Sequence, residues 1–253
     1  MLTLARLAGL SRSLAIYYLP LLWRGRRLAR FYRDFIRPGD LCFDVGAHVG
    51  SRAWLWSRLG ARVVAVEPQP DCQTLLRFFY GRHPRITLVN AALGAAAGQA
   101  ELLISRRTPT VTTLSPEWAA QVGQRDASFA QVRWDTAVTV PLLTLDDLIA
   151  RYGRPAFCKI DVEGFELEVL RGLSQPLPAL SVEFLPAAPE RALACLDYLA
   201  ALGSYEWNYA PGESHRWAMP GWLDSAAMKQ YLQSRPLAAG SGDVYGRLKE
   251  CRV

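Results

Sequence analysis

Residues 41–50 read Leu41-Cys42-Phe43-Asp44-Val45-Gly46-Ala47-His48-Val49-Gly50, an apolar run that breaks into a glycine-bounded loop. The run follows the turn signal Arg37-Pro38-Gly39-Asp40 and predicts a buried strand. Beyond the loop, Val49, Ala53, Trp56 and Leu59 recur at helical spacing up to Gly60. Arg62 to Glu67 predicts a second strand, stopped by Pro68 and Pro70, and a helix over about 71–80 and a third strand, Ile86 to Val89, follow. Strand, helix, strand, helix, strand in this order is the pattern of a parallel sheet with helices on both faces, an α/β fold of Rossmann-like type.

Residues 98–143 interrupt that rhythm. Ala100–Ile104 and Val138–Leu142 predict strands around a stretch rich in Thr, Ser and Gln, expected as a loop or lid inserted in the domain. Alternation then resumes. Helices are expected at 145–151, 165–171, 189–202 and 222–233, with strands at 156–162, 179–184, 205–209 and near 243–248.

The chain has 253 residues, of which 51% are hydrophobic, too many for a disordered chain and enough for one domain with a small appendage. The formal charge of +6 is confined to one end. Residues 1–33 carry seven arginines and no acid, leaving 22 bases against 23 acids in residues 34–253. The body therefore lacks the basic stripe of a nucleic-acid binder, and no nucleic-acid partner is expected. The basic arm, 1–33, is expected as a helical cap on the domain 34–253; it could also lie on a membrane surface with its arginines toward anionic lipid. Its apolar stretch Leu14–Trp23 is about half the length of a membrane span and holds Pro20. No signal-peptide cleavage pattern follows. Five cysteines (Cys42, Cys72, Cys158, Cys195, Cys251) without paired spacing point to buried thiols in a cytoplasmic protein.

The loop after the first strand is where doubly wound sheets bind nucleotides. A dinucleotide fingerprint requires glycine where this chain has His48, so it fails. Asp44, two residues before Gly46, would repel a pyrophosphate and attract a sulfonium, which favours S-adenosylmethionine over NAD. Glu67, ending the second strand, is placed to accept hydrogen bonds from ribose hydroxyls, or merely to cap the next turn. Asn90, with the Ala91 backbone, is placed to read an adenine edge. His48 could contact the cofactor, reach toward substrate or fill the loop.

Lys159-Ile160-Asp161-Val162-Glu163 is the second charged constellation. Strand alternation would put Lys159, Asp161 and Glu163 on one side, either as a stabilising network or as reacting groups. Methyl transfer to an alcohol needs a base for the hydroxyl proton, which Asp161 or Glu163 could supply while Lys159 pairs with them or stabilises an alkoxide. Glu183 could add a third carboxylate. Such a cluster could hold Mg²⁺, but its spacing does not require a metal and no metal ligands are assigned. Trp118 and Trp134 in the insertion, and Trp207, Trp217 and Trp222 in the tail, could stack on a sugar or pack the core.

Taken in order, FDVGAHVG, VAVEPQP, VNAALG, LTLDDLI, KIDVEGFELEVLRG and SVEF resemble the FkbM-type S-adenosylmethionine-dependent methyltransferases over about residues 34–184, with a looser match at the GES-containing tail. The resemblance implies a seven-stranded class I methyltransferase fold, mostly parallel, with the last strand antiparallel. It also implies O-methylation of a sugar or other small-molecule hydroxyl; an RNA or protein methyltransferase docking through the arm is the alternative. It makes Asp44, Gly46, Gly50, Glu67 and Asn90 cofactor contacts, with Ala47, His48, Pro68 and Ala91 beside them, and Asp161 and Glu163 the active-site acids. Many members carry asparagine in place of His48.

Overall fold

The computed structural model describes residues 4–249. Helix α1 (Leu4–Tyr32) leads into β1 (Leu41–Val45), α2 (Ser51–Arg58), β2 (Arg62–Val66), α3 (Pro70–Tyr80) and β3 (Ile86–Val89). Next come β4 (Ala92–Leu93), β5 (Gly98–Ile104), α4 (Pro116–Arg125) and β6 (Thr136–Leu143). Then follow α5 (Leu145–Tyr152), β7 (Phe157–Ile160), α6 (Glu166–Arg171) and β8 (Ala179–Phe184). The chain closes with α7 (Pro189–Leu202), β9 (Tyr205–Pro211), α8 (Ser225–Gln233) and β10 (Gly242–Leu248).

Seven strands form one sheet in the order β3-β2-β1-β7-β8-β10-β9. Pairs β2–β3, β1–β2, β1–β7 and β7–β8 are parallel, whereas β10 runs antiparallel to both β8 and β9. This is the class I methyltransferase arrangement, with its last strand reversed. The central strands β1 and β7 are buried along their whole length, so they are apolar on both faces apart from Asp44 and Lys159 near their carboxyl ends. Strand order reverses between β1 and β7, and the crevice at the carboxyl ends of these strands is the binding position of such sheets.

The insertion is more ordered than a loop. β5 and β6 pair antiparallel, with Leu102 opposite Val138, and β4 joins β6 to make a separate three-stranded sheet. Between them stands α4, which the polar composition concealed; Ser115 caps it by accepting from the Trp118 N–H. Trp118 is buried with Val111 and Val122, and Trp134 donates to the Val111 carbonyl at 2.9 Å. Trp207 is fully buried, and Trp217 packs against Phe31 and Trp222. These tryptophans are packing residues, not an exposed sugar-stacking surface.

Helix α1 runs on through Pro20, so the proline does not interrupt it. It packs on the domain through Leu10, Ser13, Leu28, Phe31 and Tyr32, while Arg12, Arg24, Arg26, Arg30 and Arg33 stay exposed. Among the described residues no helix is long and apolar enough to cross a membrane. Cys42, Cys72, Cys158 and Cys195 are buried free thiols; Cys251 lies outside the described residues.

Candidate active site

The glycine loop is pinned between two strand ends. The Gly46 and Ala47 N–H groups both donate to the Val66 carbonyl at 3.0 Å, tying the loop to β2. Gly46 has φ +82°, and a Cβ there would collide with the Asp161 carbonyl oxygen beyond β7. Only glycine allows that approach. Gly50, at φ +81°, precedes α2 and lies against Leu76 and Tyr80. Between them His48 adopts φ +49°, an uncommon conformation for a side-chain-bearing residue.

Two buried carboxylates stabilise this loop. Asp44 accepts from the Ala53 N–H at 3.1 Å, anchoring α2 beneath it. Burial lifts its pKa to about 6, although Lys159 and Arg52 pull the other way. Glu67 accepts from the His48 N–H and the Gln69 N–H, each at 2.8 Å, one on each oxygen. Burial lifts Glu67 further, to about 7, against those two hydrogen bonds. The His48 ring contacts Cys72 Sγ through Nδ1 at 3.3 Å, and burial lowers its pKa to about 4, so the ring is neutral. Its Nε2 is buried without a partner among the described residues.

A cleft opens at the carboxyl ends of β1, β2 and β7. Gly46, His48, Glu67, Pro68 and Ala91 line it, together with Asp161, Glu163 and Phe165. The insertion supplies Pro109, Thr110, Thr112 and Leu114, so the hydroxyl-rich run does border the site. A second cavity lies beside it; Asp44, Ala47 and Lys159 line that one, and Gly46, His48 and Asp161 line both. Asn90 is exposed, and neither it nor Gly50 is among the residues lining the two cavities.

The acids are gathered, but not by strand alternation. β7 stops at Ile160, and Glu163 is turned by a left-handed φ of +55°. Lys159 Nζ reaches Asp161 at 2.8 Å and Asp243, on β10, at 3.2 Å. Against desolvation, those two carboxylates hold the ammonium charged. The expected Lys159–Asp161–Glu163 network is therefore Lys159–Asp161–Asp243, because the turn after β7 carries Glu163 elsewhere. Glu163 instead meets Asp161 and Glu183, whose carboxylates approach so that one oxygen of each lies within 4.8 Å of the others. Desolvation and then the Asp161 charge push Glu163 well above the usual carboxylate range; desolvation, Glu163 and Asp161 do the same to Glu183. Thr113 fixes the turn by donating its hydroxyl to the Glu163 carbonyl at 2.7 Å.

Three residues at the site carry no signal in the sequence, Tyr17, Arg52 and Asp243, and a fourth, Glu213, is marked only as part of the tail. Tyr17, on α1, sets its ring edge-on to His48 with centroids 5.5 Å apart and borders the second cavity. Arg52, buried at the start of α2, is ion-paired with Glu213, and His215 Nε2 lies 3.7 Å from the same carboxylate. The GES segment that holds Glu213 was the one available signal. Nothing local marks Asp243, which arrives from the reversed last strand.

The Methyltransferase FkbM domain model matches residues 44–206. Hexuronic acid methyltransferase AglP of Haloferax volcanii is 26% identical over 187 residues, covering 70% of this chain and 71% of that protein. Methyltransferase sdnD of Sordaria araneosa is 30% identical over 154 residues, covering 52% of this chain and 60% of that one. Among solved structures, precorrin-6y C5,15-methyltransferase from Geobacter metallireducens superposes with a TM-score of 0.41 at 13% identity, covering 87% of each chain.

Proposed function

This chain belongs to the FkbM methyltransferase family, and on that premise we propose that it transfers a methyl group from S-adenosylmethionine to a hydroxyl of a sugar or other small molecule. The observation that carries the proposal is one cavity bordered both by the glycine loop with Glu67 and by Asp161 with Glu163. The residues present suit the cofactor. Each Glu67 oxygen accepts a single backbone N–H and keeps acceptor capacity for ribose hydroxyls. Gly46 brings bare backbone to the cavity wall, His48 Nε2 remains unpartnered, and four carboxylates (Asp44, Asp161, Glu163, Glu183) favour a cationic guest. When bound, the cofactor supplies an electrophilic methyl group on a positively charged sulfur.

Glu163 is the base in this reading. Its carboxylate lies against those of Asp161 and Glu183, while Lys159 is ion-paired with Asp161 and Asp243 instead, which makes Glu163 the stronger proton acceptor, and a positive charge nearby would favour its ionised form. Asp161 is held by Lys159, so it orients and balances charge rather than accepting the proton. With the cofactor bound, Glu163 would take the proton of the acceptor hydroxyl, whose oxygen would gain the methyl group as the cofactor's carbon–sulfur bond breaks and neutral thioether leaves. The insertion's Thr110, Thr112 and Leu114 border the same cavity and would exclude water. AglP, named for a hexuronic acid, supports a sugar acceptor.

The test is calorimetric titration with S-adenosylmethionine, then transfer of labelled methyl to fractionated cell extract. Glu163→Gln is expected to bind the cofactor and lose about a thousandfold in transfer. Label appearing on RNA or protein instead of small molecules would overturn the acceptor class; full transfer by Glu163→Gln would remove it as the base.

A further inference from the structure

The outer face of α1 repeats at alternating steps of four and three: Arg12, Ile16, Leu19, Trp23, Arg26 and Arg30. At 3.6 residues per turn these positions form one stripe, about 27 Å long, on the side away from the buried Leu10, Leu28 and Tyr32. Its middle is apolar and uncovered, with Ile16 and Leu19 each 50% exposed and Trp23 70%. Both ends are arginine. The neighbouring helix α3 ends in exposed Phe78 and Phe79, flanked by exposed Arg77 and Arg82. The Tyr18–Tyr80 hydroxyl contact ties α3 to α1 from the domain side. Among the described residues, five of the six exposed large hydrophobics lie on these two helices; the sixth is Leu237.

We propose that this face docks on an anionic membrane surface, with Ile16, Leu19, Trp23 and the α3 phenylalanines entering the headgroup boundary and the flanking arginines on lipid phosphates. Charge selects that occupant. Residues 1–33 contain no acid, and among the described residues Arg12, Arg26 and Arg30 have no carboxylate within ion-pair distance. A second copy packed along the stripe would set arginine against arginine in either orientation. An RNA would satisfy the arginines but leave Ile16 and Leu19 in water. A lipid surface takes both, since long cationic side chains reach the phosphates while the apolar centre is buried. The site stays accessible in this pose, because α1 meets the glycine loop by its opposite face, where the Tyr18 hydroxyl donates to the Val49 carbonyl at 2.9 Å.

The test is cosedimentation of the full chain with vesicles of phosphatidylcholine alone or with one-third phosphatidylglycerol. Binding is expected only to the anionic vesicles and should weaken as salt rises. Each arginine contributes roughly fivefold, so an Arg12→Gln, Arg26→Gln, Arg30→Gln variant should lose about a hundredfold in partitioning. Trp23→Ser with Phe78→Ser should lose at least about tenfold, with unchanged melting temperature and cofactor binding, and Leu237→Ser should bind as wild type. Equal binding to both vesicles, or to neither, overturns the proposal. So does a dimer in light scattering that Trp23→Ser dissolves, or salt-sensitive RNA retention that survives loss of Trp23.

Discussion

Glu67→Gln separates the charge of this side chain from its shape. In the native protein the carboxyl group titrates at about 7 rather than 4.5 because it is buried. Folding therefore retains a proton that the unfolded chain releases between those values. Stability contributed by Glu67 falls as pH climbs from about 4.5 through about 7, and the difference amounts to ~3 kcal/mol. Glutamine cannot ionise and removes that slope. It also turns an NH₂ group toward one of the two N–H groups, of His48 or Gln69, that the carboxylate now satisfies. An unmatched buried donor costs about 1–3 kcal/mol at every pH. The variant should melt below wild type at pH 4.5, and the gap should close or reverse by pH 8. For a chain of this size the relative movement is roughly 6–12 °C. Thermal melts followed by circular dichroism across that range measure it directly. A gap between variant and wild type that stays constant from pH 4.5 to 8 would refute the reasoning, since it would mean that Glu67 is already ionised at the acid end. Cofactor titrations over the same range add a second reading. Wild-type affinity should rise with pH as Glu67 becomes the acceptor that ribose hydroxyls require, while the variant binds more weakly and without that rise.

Lys159→Met should cost about 3–5 kcal/mol, because it strands Asp161 and Asp243 facing each other without their cation. Adding Asp243→Asn should recover part of the loss in urea denaturation, and no recovery would deny that the two carboxylates depend on one ammonium. Gly46→Ala should cost at least about 2 kcal/mol and weaken cofactor binding, since the methyl group meets the Asp161 carbonyl at a backbone angle that L-residues avoid. An alanine variant that melts and binds like wild type would show that the loop does not need this close approach.

What could be seen in advance follows the range of the forces involved. Strands β1, β3 and β8 and helix α7 fall where hydrophobic runs and breakers put them, because burial along a whole strand and the turn residues beside it act locally. The positions of Glu67 and the glycine loop at strand ends were equally legible, although what holds them is not local: the His48 N–H donates to Glu67, and the Asp161 carbonyl closes on Gly46. The failures are all non-local. Helix α4 looked polar because its buried face is only Trp118 and Val122, and these find their partners in Val111 and Phe129 across the insertion. The acids nearest Lys159 in sequence are Asp161 and Glu163, but β10 folds back antiparallel beside β8 and delivers Asp243 from the far end of the chain. Strand alternation carried past Ile160 puts Glu163 on a strand face, whereas Thr113 of the insertion holds its carbonyl in a left-handed turn. The same cause explains Tyr17. An arginine-rich helix read alone looks like an appendage, yet two successive tyrosines on its inner face bond the glycine loop and edge the His48 ring. The charges that matter at the site come from five separate stretches of chain, β1–α2, β2, β7 with its turn, β8, and the β9–β10 region, and only the sheet order makes them neighbours.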